Sequence, residues 1–239
     1  MKPLFRSFAM FVQQVFKDSM LIAVCIASVL SAVFIRYGVP AIEQALCSYF
    51  QKTAILADYY LMFDLLLSIV TPYMLCFASA MVMLGEYDEN LSRYLAVTPV
   101  GKHGYVLSRL VFPAAISFLL SVILMYWFSL TVWSFGLLLI TCLLSSLVSI
   151  CVSLLIFAFS HNRVEGMAVA KMAGLIMVGL PIPFFISGGV QYLFAPLPSF
   201  WIAKLCLEQE GLLPFMLAAL VSSGIWLGLL YRKFTIKLA

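Results

Sequence analysis

The chain has 239 residues, of which 64% are hydrophobic and only 10% are charged, and its mean hydropathy is +1.11. A soluble globular domain carries about 25% charged residues, so this composition excludes that class and indicates a polytopic membrane protein. The net charge of +4 does not indicate a nucleic-acid partner, because the cations are spread along the chain instead of forming one run. We therefore expect the chain to contact a lipid membrane and no nucleic acid.

The first stretch, residues 2–18, predicts an amphipathic elbow helix that lies in the membrane interface. Its apolar side chains recur at helical spacing on one face, while its charged and amide side chains lie toward the other. Lys17 and Asp18 precede the first charge-free run, and no small-residue cleavage pattern follows that run. We therefore expect no cleavable signal peptide.

Six charge-poor stretches are long enough, or nearly so, to cross about 30 Å of hydrocarbon. The run 110–160 contains no charged residue and holds two of them. Gly38 and Pro40 are expected to end the first span, and Pro181 and Pro183 to break the fifth. Short outer helices are expected between the fifth and sixth spans. The sequence thus predicts an all-α fold with 1–239 as a single transmembrane domain, and with spans at about 19–35, 61–84, 110–128, 137–159, 172–190 and 212–230.

The distribution of cations predicts the orientation of the chain. If both termini are cytoplasmic, eleven of the Lys and Arg residues face the cytoplasm and three face outward. The three outer cations are Arg36, Lys52 and Lys204. Such a bias is typical of multi-pass proteins of the cell membrane. We therefore expect a multi-pass protein of the cell (plasma or cytoplasmic) membrane with both termini inside.

Residues 85–109 form a long polar stretch between two spans, GEYDENLSRYLAVTPVGKHGYVLSR. Its apolar residues recur at helical spacing on one face. Acidic residues come first and Arg93 later, in the order that the helix dipole favours. Thr98-Pro99 ends the predicted helix, because the ring restricts the preceding residue and proline has no N–H. The apolar face consists of Tyr87, Leu91, Tyr94 and Leu95.

Residues with catalytic or ligand-binding potential are few within the spans. The sequence has no phosphate-binding GxxxxGK[ST] loop, no HExxH and no GxSxG pattern, so neither ATP binding nor hydrolysis is predicted for this chain. Asp64 lies one turn inside the second span, where it either contacts substrate or ions or reaches water at the interface. Cys47 and Cys206 fall in segments predicted to be outside, where a bridge is conceivable.

The polar stretch and the span layout together resemble the permease subunits of type-2 ATP-binding-cassette (ABC) exporters. In that family the loop between the second and third spans begins with an acidic residue, continues as a small helix ending in L-x-x-T-P-V, and enters the next span with Y-x-x-x-[KR]. The matching residues here are Glu86, Leu95, Thr98-Pro99-Val100, Tyr105 and Arg109. The outer Leu197-Pro198-Ser199-Phe200-Trp201 is similar to the family's outward helices.

The resemblance implies a mechanism and partners. The loop would be a coupling helix that docks on a separate nucleotide-binding ATPase, which holds ATP and Mg²⁺, so this chain needs no cofactor or metal and is not itself an enzyme. The implied coupling residues are Glu86, Tyr87, Glu89, Leu91, Arg93, Tyr94, Leu95, Thr98 and Pro99. A second permease chain, identical or homologous, would complete a dimer around the substrate path. Candidate path residues are Asp64, Pro72, Pro181 and Pro183.

Three functions follow as hypotheses. The first is an exporter subunit that moves an amphipathic or hydrophobic cargo, such as a drug, lipid or peptide, because its predicted path is almost free of charge. The second is a membrane scaffold or sensor that docks a soluble partner through the same loop, which differs in having no cargo to stimulate an ATPase. The third is an ion-coupled carrier that uses Asp64, which predicts loss of activity in Asp64→Asn.

Overall fold

The computed structural model describes residues 2–89, 91, 101–208 and 211–237. Every regular element within these ranges is a helix, which confirms the predicted all-α class. The α-helices are α1 (Lys2–Lys17), α2 (Ser19–Val33), α3 (Val39–Phe50), α4 (Tyr60–Asp88), α5 (Gly101–Val106), α6 (Phe112–Phe128), α7 (Phe135–Phe159), α8 (Arg163–Ala173), α9 (Ile182–Phe185), α10 (Pro198–Leu207) and α11 (Leu212–Lys237).

Five helical stretches in the described residues are long and apolar enough to cross a membrane. They are Ser19–Phe50, Ala57–Asp88, Gly104–Phe128, Phe135–Phe159 and Leu212–Lys237. The stretch 172–190, predicted as the fifth of six spans, is not one continuous α-helix. It comprises the end of α8, a 3₁₀ segment at Gly174–Gly179, the short α9 and the beginning of a second 3₁₀ segment at Gly189–Phe194. The α-helix thus ends at Ala173, well before Pro181 and Pro183, where the sequence predicted the break.

The first long helix continues well past its predicted end. Gly38 and Pro40 do not end it, because a π-helical segment at Phe34–Gly38 connects α2 directly to α3. The wider π turn leaves room for the proline ring, which would clash with a carbonyl in a regular α turn. The helix ends at Gln51, which has a left-handed φ of 52°. Residues 39–50, which lie beyond the predicted end of the first span, are therefore helical.

The centre of the bundle is formed by α4 and α7, which pack against each other along most of their length. Hydroxyl side chains on these helices and on α6 form hydrogen bonds inside the bundle, with Ser68 Oγ 3.2 Å from Ser145 Oγ and Ser121 Oγ donating to the Ser68 carbonyl over 3.1 Å. By contrast, α2 and α11 present most of their apolar side chains outward. This arrangement is expected where the surrounding solvent is hydrocarbon.

The short helix α10 is buried among its neighbours, with contacts to α7, α11 and the 3₁₀ segment at Gly174–Gly179. A Cβ atom on Gly179 would lie 2.5 Å from Ser199 Oγ and 2.8 Å from the Phe200 nitrogen, so only glycine permits this close approach. Cys206 lies in α10 and contacts Thr141, whereas Cys47 contacts Glu43. Both cysteines are free thiols, so the conceivable bridge is not formed.

Candidate functional site

Charged side chains of α1, α4 and α8, of the residue between α1 and α2, and of the π segment before α6 meet at one end of the bundle. We call this the charged end and define it by Lys17, Asp18, Glu86, Arg109 and Arg163. The opposite end, which we call the distal end, is defined by Glu43, Asp64 and the turn 129–134. The N-terminal helix α1 lies at the charged end, where Ser7 contacts Arg109. The end of α11 lies there too, because α7 and α11 both run from the distal end toward it.

The centre of the charged end is a buried ion pair between Glu86 and Arg109. The guanidinium Nη2 lies 2.5 Å from Glu86 Oε1, and Nε donates to both carboxylate oxygens over 3.1 and 3.0 Å. Arg109 Nη1 also donates to the Ser7 carbonyl of α1 over 2.7 Å. Arg109 is 0% and Glu86 is 3% exposed. One guanidinium therefore ties α1, α4 and the π segment Leu107–Val111 together.

A second charged contact joins α8 to α2 and α4. Arg163 Nη1 lies 3.0 Å from Asp18 Oδ2, and Arg163 Nε donates to the Met81 carbonyl over 3.1 Å. Asp18 also caps α2 by accepting from the Met20 N–H over 3.0 Å. The first residue of α8 is thereby fixed against the ends of two neighbouring helices. A cavity of about 490 Å³ opens between these residues and the end of α4.

The beginning of α8 is itself capped by two neighbouring side chains. Asn162 Oδ1 accepts from the Glu165 N–H over 2.8 Å, and Glu165 Oε2 accepts from the His161 N–H over 2.7 Å. This reciprocal arrangement closely resembles a capping box. The hydrogen bond from the His161 N–H is the largest of the effects that lower the pKa of Glu165. Glu165 is therefore held as a carboxylate at neutral pH.

The predicted coupling residues differ in how far they are exposed. Glu86 is buried in its ion pair, so its carboxylate is not presented to a soluble partner. Tyr87 is partly buried and packs edge-on against Phe157, with ring centroids 5.8 Å apart. Glu89 is exposed just after α4, and Leu91 is 38% exposed. The remaining predicted residues lie outside the described ranges: Arg93, Tyr94, Leu95, Thr98 and Pro99.

Asp64, predicted either to contact substrate or ions or to reach water, is buried at the distal end of the bundle. Its side chain is 0% exposed and accepts hydrogen bonds from the Leu130 and Thr131 N–H groups over 2.8 and 2.9 Å. It also accepts from the Thr131 hydroxyl at 2.5 Å and from Trp133 Nε1 at 3.0 Å. Four donors therefore satisfy this carboxylate, which holds the turn between α6 and α7. It does not reach water, as the other interpretation required.

The other predicted path residues are prolines in α4 and at the beginning of α9. Pro72 is buried inside α4. Pro181 and Pro183 are partly buried at the beginning of α9, beyond the 3₁₀ segment. Within the part of the chain that the structure describes, no group of three or more His, Cys, Asp or Glu side chains is placed to hold a metal ion.

Sequence reasoning missed the contacts made by Ser7 and by the Asp18–Arg163 pair. Two local signals were available for the pair. Asp18 directly precedes an apolar run, as an N-cap residue does, and Asn162 is followed three residues later by Glu165, as in a capping box. These signals mark where α2 and α8 begin, and both beginnings lie at the charged end. No local pattern indicated Ser7, because its carbonyl and hydroxyl contact Arg109 and Ser108, which lie about a hundred residues later in the sequence.

The fold and the charged end define a membrane-embedded helical protein with buried ion pairing at the end that carries its N-terminal helix. Residues 11–231 match the sequence profile of a family described as fluoroquinolones export permease protein Rv2686c-like. The chain belongs to this export permease family, which confirms the resemblance to an exporter permease. Two curated relatives are the fluoroquinolones export permease proteins MT2760 and Rv2686c, from the CDC 1551 and H37Rv strains of Mycobacterium tuberculosis. Each is 29% identical over 99 residues, which cover 40% of this chain and 39% of the relative.

Proposed function

We propose that this chain is the membrane subunit of an ATP-driven exporter and that a separate ABC ATPase docks at its charged end. In this proposal ATP and Mg²⁺ are held by the ATPase, and a second permease chain completes a dimer with six spans in each subunit. Both termini would then be cytoplasmic, in agreement with the bias of eleven inner cations against three outer ones.

The observation that carries this proposal is the buried contact among Glu86, Arg109 and the Ser7 carbonyl. It lies at both ends of the polar stretch 85–109, because Glu86 precedes the predicted coupling helix and Arg109 follows it. A force applied to that stretch by a docked ATPase would reach α1, α4 and α6 together. Energetic coupling between sites is carried by packed side chains and by hydrogen-bond and salt-bridge networks of this kind.

We propose an amphipathic drug as the cargo. The two curated relatives are named for the export of fluoroquinolones, which are aromatic and carry polar groups. The spans are apolar along most of their length, so they suit a molecule with a large hydrophobic part. Lipids and peptides remain cargo classes to be compared with drugs in the same assay.

The ion-coupled alternative receives no support from the position of Asp64. A coupling carboxylate must exchange its ion or proton during transport, but Asp64 accepts four hydrogen bonds from a turn at the distal end. The scaffold alternative shares the docking surface of the exporter proposal. It differs in one measurable property, because a scaffold gives an associated ATPase no cargo to respond to.

Site-specific crosslinking tests the proposed docking surface. A photoreactive residue at Leu91, which is exposed at the charged end, should capture an ABC ATPase in cells. The matched control is Val132, which is fully exposed in the turn at the distal end and should capture none. Capture from Val132 but not from Leu91 would indicate that the distal end, and not the charged end, faces the cytoplasm. If neither position captures an ATPase and none copurifies, the exporter proposal fails.

The cargo is tested separately with the reconstituted complex. We expect a fluoroquinolone to stimulate the ATPase activity of the complex. In vesicles with ATP on the side of the charged end, we also expect the drug to move from that side to the opposite one. An ATPase that is bound but responds to no drug, lipid or peptide would favour the scaffold.

A further inference from the structure

An apolar groove opens on the outer surface of the bundle beside the end of α11. Its floor comes from α7, and its sides come from α8 and α11. The volume of the groove is about 580 Å³. The apolar residues that line it include Leu155, Phe159, Val169, Met172, Trp226 and Leu229. Several of them are strongly exposed, with Met172 at 66% and Leu229 at 64%. Their chemistry suits a hydrocarbon ligand.

The groove ends at a cation. Lys233 lines the groove together with these apolar residues, and its ammonium lies 4.0 Å from the centroid of the Phe159 ring. A lysine beside an aromatic wall keeps its apolar stem in the groove while its charge faces outward. Trp226 and Lys233 are two turns apart on the same face of α11, about 10 Å along its axis. The groove therefore runs from an apolar section to a charged rim.

A second pocket adjoins the rim and adds to its positive charge. Its volume is about 250 Å³, and Lys233 lines it together with Lys237 and His161. The Lys237 ammonium donates to the Phe157 carbonyl over 2.6 Å and lies 4.6 Å from the Tyr87 ring.

Acidic groups also act at this rim. Asp88 and Glu165 lie near enough to act on the charge of Lys237, and Glu165 also accepts from His161. Lys237 is largely committed to the end of α7, because its ammonium donates to the Phe157 and Ser160 carbonyls. Lys233 lies on the groove side of the rim, where the exposed ammonium can accept an anionic partner.

We propose that this groove binds an anionic phospholipid, with an acyl chain between α8 and α11 and the headgroup phosphate on Lys233. The charge complementarity supports this occupant over a zwitterionic lipid, since both headgroups contain a phosphate but only that of the anionic lipid keeps a net negative charge to meet the Lys233 ammonium at the end of the apolar groove. A lipid here would bridge α8 and α11 across α7, and would thereby stabilise the position of α8 at the charged end. The inference does not rest on ATP coupling or on the identity of the cargo.

The test uses the full chain purified in mild detergent. Phosphatidylglycerol and phosphatidylcholine are added separately, and binding is measured by native mass spectrometry and by the shift in thermal unfolding. Phosphatidylglycerol should bind and raise the unfolding temperature more than phosphatidylcholine does. One lysine near a membrane surface contributes enough to change anionic-lipid affinity about fivefold, so Lys233→Gln should weaken phosphatidylglycerol binding by about that factor.

Two matched controls separate a defined site from general attraction. Arg232→Gln removes an exposed cation next to Lys233 that does not line the groove, and it should change affinity less than twofold. Lys233→Arg keeps the charge and should keep the binding, which also checks that loss in Lys233→Gln is not a failure to fold. For the apolar half, Val169→Trp should fill the groove and abolish binding, whereas Val164→Trp, at an exposed position of α8 outside the groove, should not.

Three outcomes would overturn the inference. Equal binding of the two lipids would remove the role of headgroup charge. Equal losses in Lys233→Gln and Arg232→Gln would show diffuse attraction without a site. A wild-type chain that binds neither lipid and crosslinks through Leu229 to a second copy of itself would assign the groove to a subunit interface.

Discussion

The ion pair between Glu86 and Arg109 gives a prediction whose size follows from its burial. Arg109→Met leaves the Glu86 carboxylate 3% exposed without the three guanidinium hydrogen bonds it now accepts. Removing one partner of a buried pair costs about 3–5 kcal/mol, because the other charge stays buried and unpaired. Glu86→Leu likewise leaves the Arg109 guanidinium buried without its carboxylate partner. We expect each single variant to lose about that much stability.

The double variant Glu86→Leu/Arg109→Met distinguishes this reasoning from simple loss of contacts. It removes both charges, so the desolvation cost disappears and apolar side chains fill the space. The cost that remains is the loss of the donor to the Ser7 carbonyl, about 1–3 kcal/mol. We therefore expect the double variant to be more stable than either single variant, although two side chains have been changed.

Equilibrium unfolding in mixed micelles, followed by circular dichroism, measures these differences in free energy. Lys171→Met is the matched control, because Lys171 is an exposed cation of α8 and its replacement should change stability by less than about 0.5 kcal/mol. Strictly additive losses in the double variant would refute the reasoning. Single variants within about 1 kcal/mol of the wild type would show that the pair is hydrated in the membrane-embedded protein.

Two further predictions concern the turn at the distal end and the packing of α10. Asp64→Asn should destabilise the chain by about 1–3 kcal/mol and should make the turn 129–134 more sensitive to protease, because an amide cannot accept from all four donors; unchanged proteolysis would contradict the role of Asp64 as a clamp. Gly179→Ala should lower stability by about 1–3 kcal/mol in thermal unfolding, because its Cβ would overlap Ser199 and the Phe200 nitrogen. Gly136→Ala is the control, since nothing lies within 4 Å of a Cβ there.

Composition and hydropathy were sufficient to predict the helical class, because every backbone group in hydrocarbon must be satisfied within its own segment. The long charge-free run 110–160 likewise indicated two helices separated by a turn, and the structure has α6 and α7 with the turn 129–134 between them. Such features depend on local sequence alone. They are therefore readable without knowledge of the packing.

The ends of helices were harder to predict, because they depend on contacts or on irregular turns. Pro40 usually marks an end, but the π segment before it lets the helix continue to Phe50. Glu86 was predicted on a separate helix after the second span, yet it lies within α4, which continues to Asp88. Glu86 can lie in the buried part of α4 because Arg109 pairs with it. Arg109 is 23 residues away in the sequence, so no local pattern around Glu86 reveals this contact.

The role of Asp64 could not be predicted for the same reason. An ionisable residue within a span is a functional candidate when its neighbours are unknown. Its four donors come from residues 130–133, in the turn after the next span. No pattern around Asp64 itself carries that information, so only the tertiary structure separates a structural clamp from a transport residue.

The buried helix α10 has a consequence for how the protein is made. It is a ten-residue helix, too short to cross a bilayer, and it contains Lys204, which is 7% exposed. Such a segment has little tendency to enter a membrane by itself. Its principal packing partner, α11, follows it in the chain and so emerges later from the ribosome. During synthesis, α10 can therefore complete its packing only after α11 has been made.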